Sequence, residues 1–184
     1  MKKTLLLFLI GCFCFGLSSC DDEGYDTILE PINMDVNKIE TIPVHIDKTD
    51  GDWSGFSFKN SLSIITPETQ EYLNKIQRVE IKQLCYKITN FNGDALGEVQ
   101  GTFQFDKDIR LDNSFVVKTV ADDQTIYYVT DTEKLNRISE VLKNNKAINM
   151  VFSGSAICDE APMDFIVEIS FEAKVQIDPI YTDL

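Results

Sequence analysis

The stretch Phe165-Ile166-Val167-Glu168-Ile169-Ser170-Phe171-Glu172-Ala173-Lys174-Val175-Gln176-Ile177 decides the fold class. Its seven odd-numbered positions are all apolar, and its even-numbered positions from Glu168 onward are all polar. Successive side chains of a β-strand point to opposite faces, so this strict period of two predicts a long strand with one solvated face. Seven apolar residues with that spacing do not form a single stripe on a helix.

Outward from this strand, the preceding segment repeats the pattern. Ile148, Met150, Phe152, Ala156 and Cys158 share one face, and a turn at 159–162 separates the two strands. Shorter apolar runs between turn residues predict further strands. They lie at 41–47, at 56–58 with a second short run at 62–65, and at 79–89, 99–105, 115–120 and 125–129, the last two forming a hairpin around Asp122-Asp123.

Two segments between the strands are typical of helices. Thr66 is a good N-cap and Pro67 suits the first helical position, which predicts a helix that carries Tyr72, Leu73 and Ile76 on one side. Thr130 and Glu133 have the spacing of a capping box, and the apolar residues behind them follow a helical period. These short helices are expected to cover open ends of a pair of sheets.

The number of strands and their short connections define the expected fold. Seven or eight mostly antiparallel strands predict a mainly β protein, an antiparallel two-sheet β-sandwich with an immunoglobulin-like or related topology and two short helices. The 184 residues are 43% hydrophobic and 26% charged, which excludes wholesale disorder, collagen, coiled coils and multi-span membrane proteins. With 30 acidic residues against 17 basic ones, nucleic acid is not an expected partner.

The first twenty residues have the composition of an export signal. Lys2 and Lys3 precede an apolar run at 5–17, which is too short to span a bilayer well and is typical of a secretory signal. The run ends in Leu17-Ser18-Ser19-Cys20. This ending resembles the lipobox of bacterial lipoproteins, in which an aliphatic residue and two small residues precede the cysteine that is acylated. The alternatives are an ordinary signal peptide with a chance cysteine and an uncleaved anchor helix.

The resemblance implies where the protein is located. Acylation of Cys20 would attach the chain to a membrane through several lipid chains, such as palmitate. Asp21, Asp22 and Glu23 follow directly. In Bacteroidetes-type lipoproteins such a cluster resembles a signal for export to the cell surface, whereas in enteric bacteria an Asp after the cysteine resembles an inner-membrane retention signal. The three consecutive acids favour the surface of the outer membrane. The remaining alternative is that they are merely solvated.

The domain organisation follows from these signals. We expect a signal peptide at 1–19, a lipidated acidic tether at 20–37 and a β-sandwich domain at 38–184. The alternative for the tether is that residues 28–34 pair as an edge strand. Removing 1–19 would take away Lys2 and Lys3 and no acid, so 15 basic and 30 acidic residues would remain.

After Cys20, the chain contains two further cysteines, Cys85 and Cys158. In an envelope compartment they are candidates for a disulfide across the sandwich. The alternative is two buried thiols that pack as small apolar side chains. Neither cysteine forms a zinc motif with His45, the single histidine.

Catalytic motifs are missing from the sequence. A Ser-His-Asp or Cys-His site would require His45, which the alternation of Val44-His45-Ile46 places on a solvent-facing side of a strand. No nucleophile elbow, P-loop or dinucleotide fingerprint is found. We therefore expect no enzymatic activity and no cofactor. The one alternative catalyst is a small glycan hydrolase with two facing carboxylates.

The most distinctive polar segment is Asp47-Lys48-Thr49-Asp50-Gly51-Asp52-Trp53. Asp47, Asp50 and Asp52 around a glycine are a weak candidate for a calcium site, although the order does not match an EF-hand, and a solvated turn is the alternative. Trp53, the only tryptophan, is a candidate carbohydrate-stacking residue. The interpretation that we favour from the sequence is a core residue that packs with Phe56 and Phe58.

Together these features predict a lipoprotein of the outer membrane or cell surface that acts as a non-catalytic binding or structural module. Its expected partners are the membrane, through the lipid anchor, and a glycan or a protein. The alternatives are the hydrolase and an envelope structural or inhibitory protein that pairs through an edge strand.

Overall fold

A computed structural model describes residues 30–106 and 109–178. The strands are β1 (Ile32–Ile46), β2 (Ser54–Ser63), β3 (Ile76–Asn92), β4 (Glu98–Phe105), β5 (Ile109–Val116), β6 (Ile126–Tyr128), β7 (Ala147–Ile157) and β8 (Met163–Ile177). The helices are a 3₁₀ helix at Gln70–Lys75, α1 (Val117–Asp122) and α2 (Thr132–Asn145). Within the described ranges, no helix has the length and apolar character that crossing a bilayer requires.

The eight strands form two antiparallel four-stranded sheets. Their orders are β1-β8-β3-β6 and β2-β7-β4-β5. β1 pairs with β8, β2 with β7, β3 with β6 and β4 with β5, as in a long hairpin that has been rolled up, and the β3–β8 and β4–β7 pairs close the roll. This is the strand order of a jelly roll. The predicted mainly β, antiparallel two-sheet sandwich is confirmed. Its topology is that of a jelly roll, one of the related topologies that the prediction allowed beside the immunoglobulin-like one.

The long alternating strand from the sequence is β8, which lies inside its sheet. It pairs along its length with β1, from Ile32 opposite Ile177 to Ile46 opposite Met163, and with β3 on its other side. All its odd-numbered side chains are buried. They face the second sheet, where Phe152 of β7 stacks on Phe103 of β4 with ring centroids 4.6 Å apart.

β1 begins earlier than the predicted domain boundary at residue 38. Residues 32–37 belong to β1 and pair with β8, so the alternative of an early edge strand is correct for this part of the predicted tether. Lys38 and Glu40 interrupt the inward apolar series, which concealed the strand in the sequence. Lys38 is accommodated because its Nζ donates to the carbonyl of Ile65 at 2.7 Å. Residues 20–29 of the tether, and the signal peptide at 1–19, lie outside the described residues.

The segment around residue 115 differs from the predicted hairpin. β5 ends at Val116, and the residues that follow form α1, whose buried side chains Val117 and Val120 are one helical turn apart. β5 itself was not predicted, because Asn113 occupies a position where the alternation requires an apolar residue. Its amide donates a hydrogen bond to the hydroxyl of Tyr86 on β3, so this inward polar group has a partner inside the sandwich.

Two of the helical elements lie close to the predicted ones. α2 is capped by Asp131, whose side chain accepts from the N–H of Lys134, and it ends at Lys146 in the left-handed region. The predicted capping box at Thr130 is therefore one residue too early. The segment that starts at Thr66 forms only the 3₁₀ helix, because the hydroxyl of Thr69 donates to the carbonyl of Ile64 and holds a turn before it.

The two ends of the sandwich differ in what they carry. The loops 47–53, 93–97 and 158–162 meet at one end, which we call the loop end. β1 enters the sandwich at the opposite end, beside the start of β3 and the last residues of β8. A strand of 15 residues at about 3.3 Å per residue separates these ends by roughly 45 Å.

Candidate ligand-binding cleft

Asp159 fixes the first loop of the loop end. Its Oδ1 accepts from the hydroxyl of Thr49 at 3.0 Å and from the N–H of Gly51 at 2.7 Å. The backbone of Thr49 also donates to the carbonyl of Cys158 at 2.9 Å. Gly51 has a φ of +94°, which a glycine adopts without strain. The loop between β1 and β2 is thereby attached to the loop between β7 and β8.

Asp94 connects the third loop, at 93–97, to the loop at 158–162. Its Oδ1 accepts from the N–H of Leu96, and its Oδ2 accepts from the N–H of Glu160, both at 2.9 Å. The bond from Glu160 is the main reason that the pKa of Asp94 lies below its usual range, and N–H groups of Leu96 and Asp159 add to the effect against the opposing influence of burial. Asp94 is only 4% exposed. It therefore acts as an ionised bridge between two loops.

The three loops surround a cleft of about 420 Å³, which we call the Trp53 cleft. Its apolar lining comes from Trp53, Leu96 and Ile157. Its polar lining is entirely acidic and consists of Asp94, Glu98, Asp159 and Glu160. Both oxygens of Asp94 and the Oδ1 of Asp159 accept hydrogen bonds within the loops, so Glu98, Glu160 and the Oδ2 of Asp159 are the carboxylate groups of the lining that remain for a ligand.

Trp53 is not in the core, which corrects the interpretation that we favoured from the sequence. It is 43% exposed, whereas Phe56 and Phe58 are half-buried and Phe56 packs on Phe152 with centroids 5.1 Å apart. The physical reason is its place in the chain. Trp53 is the last residue of the loop 47–53, so it lies outside β2, the strand from which Phe56 and Phe58 pack inward. The ring borders the cleft together with Leu96, which is 75% exposed.

The weak calcium candidate is not assembled. Asp47 lies 3.3 Å from Nε2 of His45, Asp50 pairs with Lys48 at 3.5 Å, and Asp52 is exposed to solvent. Across residues 30–106 and 109–178, no three acidic, histidine or cysteine side chains are arranged to hold a metal ion. The three carboxylates are exposed to solvent, so the loop agrees with the solvated turn that we gave as the alternative to a calcium site.

Cys85 and Cys158 are free thiols, so the predicted disulfide is not formed. Cys85 lies in the middle of β3, opposite Ser170 and Tyr128, whereas Cys158 follows β7 at the loop end. Both thiols are buried, as in the alternative in which they pack as small apolar side chains. Burial is the main cause of the raised pKa of the Cys158 thiol, and the charges of Asp94 and Asp159 raise it further. This thiol is accordingly kept protonated and packs as a small apolar group.

His45 lies on the solvent side of β1, as predicted, between two carboxylates. Its Nδ1 is 2.7 Å from Asp164 and its Nε2 is 3.3 Å from Asp47. The hydrogen bond to Asp164 is the largest cause of a raised pKa for this imidazole. With both ring nitrogens facing acceptors, the charged form is favoured, which does not suit a general base for a nucleophile.

His45 leads to a prediction about pH. Because its pKa is higher in the folded than in the unfolded chain, its stabilising effect is complete below the unfolded pKa and is lost as pH rises through the folded pKa. We expect Asp164→Asn to lower the pKa of His45 toward its ordinary value of 6.5, and Asp47→Asn to lower it less. NMR titration of the only histidine measures this directly. An unchanged pKa in Asp164→Asn would contradict the assignment.

The sequence matches no protein-family model and no curated protein. The fold resembles a chain from Desmodium yellow mottle tymovirus, with a TM-score of 0.36, 11% identity and full coverage of both chains. It also resembles two chains from turnip yellow mosaic virus. One has a TM-score of 0.37 at 9% identity and covers 84% of this chain and 98% of that one; the other has a TM-score of 0.38 at 9% identity and covers 100% and 91%. These likenesses carry no argument about function.

Sequence reasoning found Trp53 and missed the rest of the cleft. The Asn92-Gly93-Asp94 segment has the composition of a turn, but the bond between Asp94 and Glu160 joins residues that are distant in the chain. One available signal was that Trp53 directly follows the turn-forming run Asp50-Gly51-Asp52. Another was the acidic run Asp159-Glu160, which directly follows a predicted strand and so had to lie at an end of the sandwich.

Proposed function

We propose that the protein is a lipid-anchored, non-catalytic binding module of the outer membrane, displayed at the cell surface, that binds a neutral glycan in the Trp53 cleft. The half-exposed indole of Trp53, beside exposed carboxylates and in a concave site, is the observation that carries this proposal. An indole offers a flat apolar face for a sugar ring. Carboxylates accept hydrogen bonds from sugar hydroxyls and repel anionic saccharides.

The position of the cleft supports display away from a membrane. Cys20, the proposed acylation site, precedes β1, and β1 enters the sandwich at the end opposite the Trp53 cleft. An anchor at Cys20 would therefore hold the entry end near the bilayer and place the cleft roughly 45 Å farther out. The acids Asp21, Asp22 and Glu23 support surface export by their resemblance to Bacteroidetes-type signals. Cys20 and these acids lie outside the described residues.

The cleft favours binding over glycan hydrolysis. A hydrolase requires one carboxyl group that stays protonated, which means a raised pKa. Asp94, the most buried acid of the cleft, instead has a lowered pKa because it accepts backbone N–H groups. Both of its oxygens accept hydrogen bonds from backbone N–H groups, so this carboxylate connects the loops and is not available to a substrate.

Pairing through an edge strand is the other alternative, and β1 is the long edge that it would use. The side-chain amide of Asn60 donates to the carbonyl of Thr41 at 3.0 Å, so the main-chain groups of Thr41 face away from β8. Pro43 has the same parity and lacks an N–H. These two residues interrupt the edge against an added strand, which makes this role less favoured.

Glycan binding should depend on the ring of Trp53. We expect Trp53→Ala to weaken binding of a neutral oligosaccharide roughly tenfold, because the stacking surface is removed, and Trp53→Phe to retain part of the affinity. The measurement is an array of neutral oligosaccharides followed by calorimetry, with the purified full chain in detergent. Ile39→Ala, which removes an exposed apolar side chain on β1, is the control and should leave binding unchanged. Equal affinity of Trp53→Ala and the native chain would contradict the proposed site.

Anchoring should depend on Cys20 alone. Cells fed an alkyne analogue of palmitate should label the native chain, and Cys20→Ala should lose the label and leave the membrane fraction, since its lipid chains provide the attachment. Cys85→Ala is the matched control, because this thiol is buried in the sandwich, and it should remain labelled. A Cys20→Ala chain that still sediments with membranes would refute the anchor. For the native chain, protease treatment of intact cells distinguishes surface display from a periplasmic location.

A further inference from the structure

The two lateral sides of the sandwich are closed differently. On the β1/β2 side, the side chains of Asn60 and Lys38 connect the sheets through the carbonyls of Thr41 and Ile65. On the opposite side the edge strands are β5 and β6, and β6 has only three residues. A pocket of about 500 Å³ lies there, which we call the tyrosine pocket. Its principal lining residues are Tyr86, Tyr127, Tyr128, Asn113, Arg110 and Lys134.

The aromatic lining is ordered by stacking. The rings of Tyr86 and Tyr127 have centroids 4.9 Å apart and an interplanar angle of 14°. Tyr86 is buried and accepts a hydrogen bond from the amide of Asn113, so it lies at the base of the pocket. Tyr128 is 56% exposed and belongs to the rim. Tyr86 also packs against Phe103 with centroids 4.4 Å apart, and Tyr127 packs against Phe115 at 5.9 Å, so neighbouring rings hold these two in place. The exposed ring of Tyr128 is the one that remains for a ligand.

The charge of the tyrosine pocket is opposite to that of the Trp53 cleft. Two cations, Arg110 and Lys134, line it together with one acid, Asp112, which already accepts from the hydroxyl of Thr102. Among the described residues, Arg110 forms no ion pair, and Lys134 lies 3.6 Å from Asp131. Because Lys134 is paired with Asp131, Arg110 is the cation of the lining that attracts an anionic ligand in a chain with a formal charge of −13.

We propose that the tyrosine pocket is a second binding site, for a carboxylate-bearing saccharide. The guanidinium of Arg110 binds the carboxylate, since this pairing is charge-assisted and suits a planar group. The exposed ring of Tyr128 contacts the apolar face of the sugar, and the hydroxyl and amide groups exchange hydrogen bonds with its hydroxyls. An acidic peptide would satisfy Arg110 but would leave the ring of Tyr128 without a flat partner.

The test uses the full chain in detergent and a panel of uronate- and sialate-containing oligosaccharides, each with its methyl ester. At least one acid should bind, and its ester should bind about tenfold less tightly, because the charge-assisted bond is lost. Arg110→Ala and Tyr128→Ala should each weaken binding to a similar degree, because Tyr128 carries the exposed ring of the pocket. Lys82→Ala, which removes the same charge from a lysine that pairs with Glu80, is the control.

The outcomes separate this site from the Trp53 cleft. Trp53→Ala should leave acid binding unchanged, and Arg110→Ala should leave neutral-glycan binding unchanged, so either proposal can fail alone. Binding of no member of the panel would overturn the second site, as would equal binding of acid and ester. Competition by a polyglutamate peptide at equal strength would show a general anion site and would overturn the saccharide assignment.

Discussion

Asp94→Ala should destabilise the protein by roughly 2–3 kcal/mol, because the N–H groups of Leu96 and Glu160 lose their acceptor in two part-buried hydrogen bonds. For a domain of this size the melting temperature should fall by about 5–15 °C. Asp94→Asn should lose less, since one amide oxygen remains as an acceptor. Thermal unfolding followed by circular dichroism measures the effect.

Two comparisons make the Asp94 prediction specific. Asp52→Ala removes the same charge from an exposed carboxylate in a neighbouring loop and should change stability by less than about 0.5 kcal/mol. Because the folded pKa of Asp94 is lowered, its contribution is present above the unfolded pKa and is lost as pH falls through the folded pKa. The difference between the native chain and Asp94→Ala should therefore narrow in acid. A constant difference down to pH 2 would contradict the ionised bridge.

Phe152→Ala should cost about 3–5 kcal/mol, the usual range for a fully buried phenylalanine. Its ring is 1% exposed. It stacks on the ring of Phe103 and packs at a tilt against the ring of Phe56. Gly101 on β4 makes room for it, since a Cβ there would lie 2.5 Å from the ring of Phe152. Chemical denaturation should show a lower midpoint with little change in slope.

Trp53→Ala is the natural counterpart to Phe152→Ala. Both remove a large aromatic side chain, but Trp53 is 43% exposed and borders a cleft. It should lose ligand binding with a much smaller loss of stability, whereas Phe152→Ala should lose stability first. If the two substitutions cost the same free energy of unfolding, the exposed position of Trp53 would be wrong.

The parts of the fold that the sequence predicted are those with local, periodic causes. β8 alternates in burial along its whole length because one of its faces packs on the core, β7 does so over its first half, and α2 follows from its cap and apolar stripe. β5 and the first half of β1 were missed because Asn113 and Lys38 stand at inward positions. Each is satisfied by a partner that is distant in the chain, Tyr86 and Ile65, and such partners leave no periodic signal.

The candidate site was less predictable than the fold for the same reason. The Trp53 cleft depends on three loops that meet only after the roll is closed, through Asp94 and Asp159. A sequence shows that Asp and Gly form turns, but it does not show which turns meet. The pairing of β1 with β8 and of β2 with β7 places those loops at one end.

Trp53 is the only tryptophan of the chain, so its fluorescence reports on the Trp53 cleft without a contribution from another indole. We expect emission typical of a partly solvated indole that acrylamide quenches readily. A neutral oligosaccharide selected on the array should shift the emission to shorter wavelength and protect it from the quencher in a saturable way. The contradicting result is a tryptophan already shielded in the free protein, or one whose emission does not change while calorimetry shows the same sugar bound.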